Sequence, residues 1–417
     1  QDKVMKAGHL KNSLIRICAQ PRTLGYITSR MGGLDPVKIS KLLNELKNEG
    51  KLFEKDDYWS AVSKNISLLS EDLNKDSELP IKKYMGHFDF LKTPHPLDFE
   101  WRNTLRSLNL LADLVGKVNE VNDKVLILGM PTLFATCSLR SVTQNITLIE
   151  RNKPIVRALA KFVNHQYKVQ ETDIFEASPD SIGKFYSVFM DPPWYSNFLY
   201  QFVWLGASCL EEGGLMVISI PPINTRSDLD EERIKWFSFC QQQGLCIERL
   251  EPEKLEYAMP FFEYNAFRTA GTTNVQPFWR KGDLAYFRKV SERIGERPPL
   301  EIPTQNWKEK EFGNVRVRVI MDDDESWDQE LKIENLTKTD ILTSVSRSNK
   351  LRKRANVWTS GNRIFRVNKP REFWNSLDGS SDNEVVNQWK EMIIKLETEE
   401  YRDYLSHIYY EMERQTT

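Results

Sequence analysis

The stretch FYSVFMDPPWYSN, residues 185–197, runs apolar and β-prone to Met190 and then stops at Asp191-Pro192-Pro193-Trp194-Tyr195. An apolar run of this length without polar alternation reads as a strand buried on both faces. Its end sets a carboxylate, two prolines and two aromatic rings side by side. In open α/β sheets ligands gather outside the carboxyl ends of the strands. The stretch is therefore both a fold signal and a site candidate.

The same rhythm extends in both directions. Upstream, KVLILG (124–129), NITLIE (145–150) and YKVQETDIFE (167–176) read as three earlier strands, with KPIVRALAKFV (153–163) as a helix between the second and third. Downstream, FLYQFVWLGASCLEEGG (198–214) reads as a helix stopped by Gly-Gly, and LMVISIPP (215–222) as the fifth strand. A helix over DEERIKWFSFCQQQG (230–244) precedes a sixth strand, LCIERLE (245–251), and a seventh, GDLAYFRKV (282–290). Strands alternating with helices predict a mostly parallel sheet covered on both faces, an α/β fold.

A chain of 417 residues exceeds one ordinary core, so several domains are expected. With 40% hydrophobic and 28% charged residues and a net charge of -1, the composition is globular and argues against coating nucleic acid by charge alone. No apolar run approaches the ~18 residues of a membrane span, and QDKVMKAGHLKNS at the start has no signal-peptide apolar region. The five cysteines and five histidines are scattered and form no C-x-x-C pair. These features give the expectation of a cytoplasmic, metal-free protein.

Residues 8–62 read as three short helices and a hairpin, an order that resembles a winged helix-turn-helix. The third helix opens with Asp35 as N-cap and Pro36 at its first position, and Gly50 ends it. Lys38, Ser40, Lys41, Asn44 and Lys47 point outward in this reading, toward a nucleic-acid groove or simply toward solvent. SEDLNKDSELP (70–80) reads as a linker, giving a winged helix over 1–70 and the α/β domain over 79–290. From 291 to 417 an α+β extension is expected, with a basic segment, RSNKLRKRANVW, and a terminal amphipathic helix. Either the winged helix or that helix is a candidate surface for a homodimer or protein partner. MDDDE (321–325) is a candidate cation loop or a solvated acidic turn.

The strand ends supply the chemistry. Gly129 ends the first strand, Glu150 ends the second, the third carries Asp173, and the fourth ends in Asp191 and the residues after it. A carboxylate at the second strand's end suits a ribose, since it accepts both vicinal hydroxyl protons. Glu150 is equally the kind of residue that caps a strand-helix turn. Asp191-Pro192-Pro193-Trp194 resembles the Asp/Asn-Pro-Pro-Tyr/Trp signature of methyltransferases that act on exocyclic amino groups, and the strand order resembles the Rossmann-like methyltransferase fold. That resemblance implies S-adenosylmethionine held by Gly129, Glu150, Asp173 and Ile174. It implies an acceptor amine held by Asp191 and the Pro192 carbonyl, with Pro193 stiffening the turn and Trp194 or Tyr195 stacking a base.

The layout also resembles the branched-chain polyamine synthases, which join a winged helix to a Rossmann-like domain and transfer an aminopropyl group from decarboxylated S-adenosylmethionine. That family bears an acidic run after the first glycine, where this chain has Met130-Pro131-Thr132. Three readings follow: an N-methyltransferase acting on an amino group, with nucleic-acid adenine as the favoured acceptor; an aminopropyltransferase; and an inactive methyltransferase-fold scaffold or nucleic-acid-binding module. Phe261, Phe262 and Tyr264 are candidates to cap the acceptor pocket or to pack beneath the C-terminal part. Arg352 and Arg354, with Trp358, Asn362 and Phe365 nearby, are candidates to contact phosphate and base.

Overall fold

In the computed structural model every one of the seven apolar runs forms a strand of one sheet. The structure describes residues 2–31, 33–62, 91–98, 100–121, 123–299, 306–321, 330–346, 349–379 and 383–416. The linker at 70–80 and the acidic residues 322–325 lie outside the described residues.

The chain begins with α1 (Asp2–Ile17), a two-residue strand β1 (Arg22–Thr23), α2 (Leu24–Arg30), α3 (Pro36–Asn48) and the hairpin β2 (Leu52–Lys55) and β3 (Tyr58–Ala61). The strand β1, which the sequence reading missed, pairs with β3 and makes the sheet order β1-β3-β2. Asp35 caps α3 by accepting from the backbone N–H groups of Val37 and Lys38. Ile39, Leu42, Leu43 and Leu46 turn inward onto Leu14, Ile27 and Trp59.

After α4 (Leu105–Val118) the central sheet is built from β4 (Lys124–Leu128), β5 (Asn145–Glu150), β6 (Tyr167–Glu171), β7 (Phe185–Met190), β8 (Leu210–Ile220), β9 (Leu245–Tyr257) and β10 (Arg280–Lys289). Their order is β6-β5-β4-β7-β8-β10-β9, parallel except for β10, which runs antiparallel to both neighbours. The helices α5 (Pro131–Leu139), α6 (Lys153–Leu159), α7 (Pro179–Ile182), α8 (Ser196–Cys209) and α9 (Leu229–Gln242) connect the parallel strands and the sixth. They and α4 help bury two apolar layers, one around Leu108, Phe134 and Phe189, the other around Val188, Phe202 and Met216. The predicted Gly-Gly helix stop is corrected: α8 ends at Cys209, and Gly213 and Gly214 lie inside β8, where the pairing with β7 shifts register.

The helix α10 (Phe261–Thr269) leads into β10. Beyond residue 306, β11 (Trp307–Phe312), β12 (Val315–Ile320), β13 (Ile333–Asn335), β14 (Val357–Thr359) and β15 (Ile364–Val367) form an antiparallel sheet of order β11-β12-β14-β15-β13. It packs against α11 (Pro370–Ser376) and the long α12 (Glu384–Thr416). Arg316 and Arg318 alternate along β12, the second arm of a hairpin turning at Gly313. Among the described residues no helix is long and apolar enough to cross a membrane.

Candidate active site

Parallel pairing brings Gly129, Glu150, Asp173 and Asp191 to one edge of the central sheet. Because β10 reverses, Arg280 at its start and Tyr257 at the end of β9 reach the same edge and pair with each other. Two clefts open there. The smaller, about 130 Å3, is lined by Gly129, Glu150, Asp173, Ile174 and Phe202 among others. The larger, about 590 Å3, is lined by Trp101, Asn103, Trp194, Tyr195, Tyr257 and Arg280 among others. Gly129, Pro131, Asp191 and Pro193 belong to both.

Five carboxylates line the smaller cleft, Asp98, Glu100, Glu150, Asp173 and Asp191, and Glu150 and Asp173 stand at the ends of the two strands that follow Gly129 in the chain's first half of the sheet. Burial pushes the Glu150 carboxyl up to about 7, against the hydrogen bond it accepts from the Asn152 N–H at 2.8 Å. Asp173 accepts from the Phe175 N–H at 2.9 Å and pairs with Arg151 at 3.3 Å. Gly129 adopts φ +65°, and a Cβ there would sit 3.3 Å from the Phe202 ring. A single glycine thus makes the turn into α5. Arg297 stacks over Trp204 and donates to the Ile174 and Phe175 carbonyls, fixing the far wall.

At the junction, Asp191 is held from both sides. The Tyr257 hydroxyl donates to Oδ1 at 2.9 Å, and the Asn103 amide donates to Oδ2 at 3.3 Å. Tyr257 also bonds the Ser219 hydroxyl. Burial pushes Asp191 up to about 6, and the bonds from Tyr257, Ser219 and Asn103 oppose the rise. At neutral pH it is mostly ionised and can accept a further N–H. Gly282 makes room for the pair, since a Cβ there would lie 2.9 Å from Ser219 Oγ and 3.0 Å from the Tyr257 ring. Asn103 and Tyr257 face each other across an isolated antiparallel bridge that extends the end of β9.

Trp194 stands edge-on to Tyr257 at 5.5 Å, and its carbonyl accepts from Arg226. The guanidinium of Arg280 lies over Trp279 at 4.6 Å, Trp101 at 4.9 Å and Trp194 at 5.8 Å. It is ion-paired to the fully buried Glu263. Pro192 is buried, Pro193 is half-buried, and the Pro193 carbonyl accepts from the Tyr195 N–H.

The segment that carries Trp101 and Asn103 is anchored from the C-terminal sheet. Asp98 pairs with Arg316 and Arg318, and Arg316 also donates to the Thr93 carbonyl. His95 is fully buried, accepts from the Leu97 N–H through Nδ1, and bonds the Trp358 carbonyl through Nε2. Burial, with the Arg318 charge, holds its pKa well below the ordinary histidine value, so it is neutral.

Several expected site residues lie elsewhere. Phe261 is buried against Tyr401 and Tyr404 of α12, and Tyr264 packs on Tyr404 and His407. Phe262 meets the larger cleft only through Trp101, edge-on at 5.4 Å. This is packing beneath the C-terminal helix. Arg352 stacks on Trp358 at 4.4 Å and Arg354 pairs with Glu334, and neither lines a cleft. Trp358, Asn362 and Phe365 are buried in the β14–β15 hairpin, so the segment's aromatic interleaving is core. Conversely Asn103, Ser219, Tyr257 and Arg280 escaped the sequence reading. The strand ends of β8, β9 and β10 could have pointed to the last three, while Asn103, before α4, carried no sequence signal.

No family model and no curated protein sequence matches the chain. Solved structures do match. The branched-chain polyamine synthase from Thermus thermophilus, in complex with N4-aminopropylspermidine and 5'-methylthioadenosine, is 16% identical with a TM-score of 0.56, over 72% of this chain and 92% of that one. Its C9 mutein, in the same complex, is 16% identical with a TM-score of 0.58, over 72% of this chain and 90% of that one. A putative RNA methyltransferase from Pyrococcus horikoshii is 15% identical with a TM-score of 0.36, over 51% of this chain and 100% of its own. At these identities the likeness is one of fold, and the central sheet of this chain is a Rossmann-like methyltransferase sheet.

Proposed function

We propose that this chain is an S-adenosylmethionine-dependent N-methyltransferase whose acceptor is an amino group on an aromatic ring, a nucleobase such as adenine. In this reading a winged helix (1–70) and a C-terminal extension (291–417) flank the Rossmann-like domain (79–290). The observation that carries the proposal is the meeting of the two clefts at Gly129, Asp191 and Pro193. A donor in one cleft and an acceptor in the other would react at that junction.

The donor fits the smaller cleft in residue type. Glu150 and Asp173 offer carboxylates to a ribose and an adenine amino group, and Gly129 keeps the turn open for close approach. S-adenosylmethionine supplies a methyl group on a sulfonium, which leaves as an electrophile. The chain's own work is on the amine. An aryl amine is a poor nucleophile because its lone pair is delocalised into the ring. Asp191, accepting an N–H, draws the nitrogen toward sp3 and aims the lone pair, while Trp194 offers a flat face to the ring. Rate then comes from positioning and from the fixed carboxylate charge. The amine lone pair forms the new C–N bond, the S–C pair returns to sulfur, and the surplus proton leaves from nitrogen.

Aminopropyl transfer is the second reading, favoured by the breadth of the likeness to the polyamine synthase. Calorimetric titration with S-adenosylmethionine and with its decarboxylated form separates the two. We expect the first to bind more tightly, and Glu150→Ala or Asp173→Ala to weaken it by about 10–100-fold, the value of one to two hydrogen bonds to a charged group. Tighter binding of the decarboxylated form would put aminopropyl transfer first, and silence toward both would leave a scaffold. Donor affinity should also fall as pH drops below about 7, because Glu150 protonates there.

Tyr257 is a positioning residue in this scheme. Its hydroxyl holds Asp191 down, so Tyr257→Phe should move the acidic limb of the pH–rate profile upward from about 6. An unmoved limb would mean that Tyr257 only packs against Trp194.

A further inference from the structure

The walls of the larger cleft carry a charge pattern that bears on which amine enters it. Its acidic lining residues are Asp35, Glu100 and Asp191. Each is already engaged: Asp35 by the amides of Val37 and Lys38, Glu100 by Arg102, and Asp191 by Tyr257 and Asn103. Arg226 and Arg280 are likewise paired, with Glu232 and Glu263. Lys38 and Lys41 of α3 also line the cleft and are exposed. Among the described residues no ion pair claims either lysine.

Two buried donors in the same wall are also unsatisfied. Trp279 is 1% exposed, and neither its indole Nε1 nor Arg280 Nε has a hydrogen-bond partner. Such orphans are rare, and both are sealed within the stack of Arg280 on Trp279 rather than open to the cleft. The lysines have no evident role in stabilising α3. They occupy its first two turns, where the helix dipole disfavours cations, and no acidic residue stands in the first turn. Meanwhile the N-terminal unit is fitted closely to the central domain. A Cβ on Gly33 would meet Thr225 Oγ1 at 3.0 Å, a Cβ on Gly25 would meet Gln276 at 3.0 Å, and Val37 packs on the cluster containing Trp279.

We infer that the acceptor is a nucleoside phosphate, its base entering between Trp194 and Asp191 and its phosphate taken by Lys38 and Lys41. The helix read from sequence as a groove-binding element is in this view a wall of the acceptor site. A polyammonium chain would find two unpaired cations and, for its several ammonium groups, only the remaining acceptor capacity of Asp191. The inference rests on reading the larger cleft as the acceptor site, and it names the class of acceptor.

The test is calorimetric titration of the full chain, at low salt and with S-adenosylhomocysteine present, using adenosine 5'-monophosphate, cytidine 5'-monophosphate, their nucleosides, and spermidine. A short single-stranded oligonucleotide distinguishes a free nucleotide from one within a strand. At least one nucleotide should bind about tenfold or more tighter than its nucleoside, as one charge-assisted bond allows. The advantage should shrink with salt and disappear in Lys38→Glu/Lys41→Glu. Both lysines are exposed, so the variant should fold, which its thermal midpoint checks. Equal binding of nucleotide and nucleoside, a preference surviving in the variant, tighter binding of spermidine, or no binding of any nucleotide would each overturn the inference. The donor titration is read separately, so a failure of the methyl-transfer reading remains distinguishable.

Discussion

Asp191→Asn is expected to lower turnover by about 10²–10³-fold, the usual loss when one preorganised charge is removed from a reacting centre, with donor affinity unchanged. The folded state should not suffer in proportion. Burial raises Asp191 from the ordinary carboxylate value to about 6, so the folded protein holds this proton where the unfolded chain has lost it. Its contribution to stability is therefore full below about pH 4, falls as pH rises through about 6, and stays at that lower level above it, where the buried carboxylate is charged. An uncharged amide avoids burying that charge, although it turns an N–H toward either the Asn103 amide or the Tyr257 hydroxyl and gives up part of one hydrogen bond. Turnover and thermal unfolding of the variant at pH 7.5 check both halves. A variant that keeps a tenth or more of the activity would remove Asp191 from the reaction. One that fails to fold would make it a structural residue. For the unaltered chain the same value predicts a turnover rate that falls as pH drops through about 6.

The strands that position Asp191 were legible because buried parallel strands are continuous apolar runs, and the turns after them expose the polar residues in sequence order. Gly129, Glu150, Asp173 and Asp191 were found in this way, each by its place at a strand end. Tyr257 and Asn103 were not, because their partnership with Asp191 spans 66 and 88 residues and because the sixth strand, read as ending at Glu251, runs on to Tyr257. Arg280 was hidden because β10 reverses and brings its start to this edge. The basic segment near residue 350 misled because composition does not reveal burial. Trp358 and Phe365 stand among arginines, yet the pairing of β14 with β15 buries both, Phe365 against the C-terminal helices and Trp358 against Leu97, Trp307 and Leu342. Lys38 and Lys41 were correctly placed on an outward face. What lay opposite that face was settled by Gly25 and Gly33, where small residues allow close approach to the central domain, and no helical periodicity could report it.

Asp98→Ala is expected to destabilise the protein by about 3–5 kcal/mol, the loss seen when one partner leaves a buried ion pair. Asp98 sits between Arg316 and Arg318, whose side chains are 5% and 15% exposed, and Glu309 is the other carboxylate at this cluster. Removing Asp98 leaves two largely buried guanidiniums facing one anion. Burial alone would raise the Asp98 pKa, but the Arg318 and Arg316 charges outweigh it and hold the carboxyl well below the usual range. Its stabilisation is thus fully present above about pH 4 and is lost only in stronger acid. In urea unfolding the gap between the wild-type chain and the variant should be full at pH 7 and only begin to narrow at pH 3. A gap below about 1 kcal/mol at pH 7 would rank the cluster with ordinary surface pairs. The effect should reach the site, because Asp98 and His95 tie the segment bearing Trp101 and Asn103 to the C-terminal sheet. Freed from that sheet, Asn103 depends on the β9 side to hold it against Asp191, through its bridge to Tyr257 and the backbone bonds of Thr104 to Glu256 and of Ala258 to Arg102. Turnover in the variant should therefore fall even at temperatures where it is fully folded. The β-sheet extension, distant in sequence from every strand-end residue, would then be part of what keeps the amine-binding carboxylate in place.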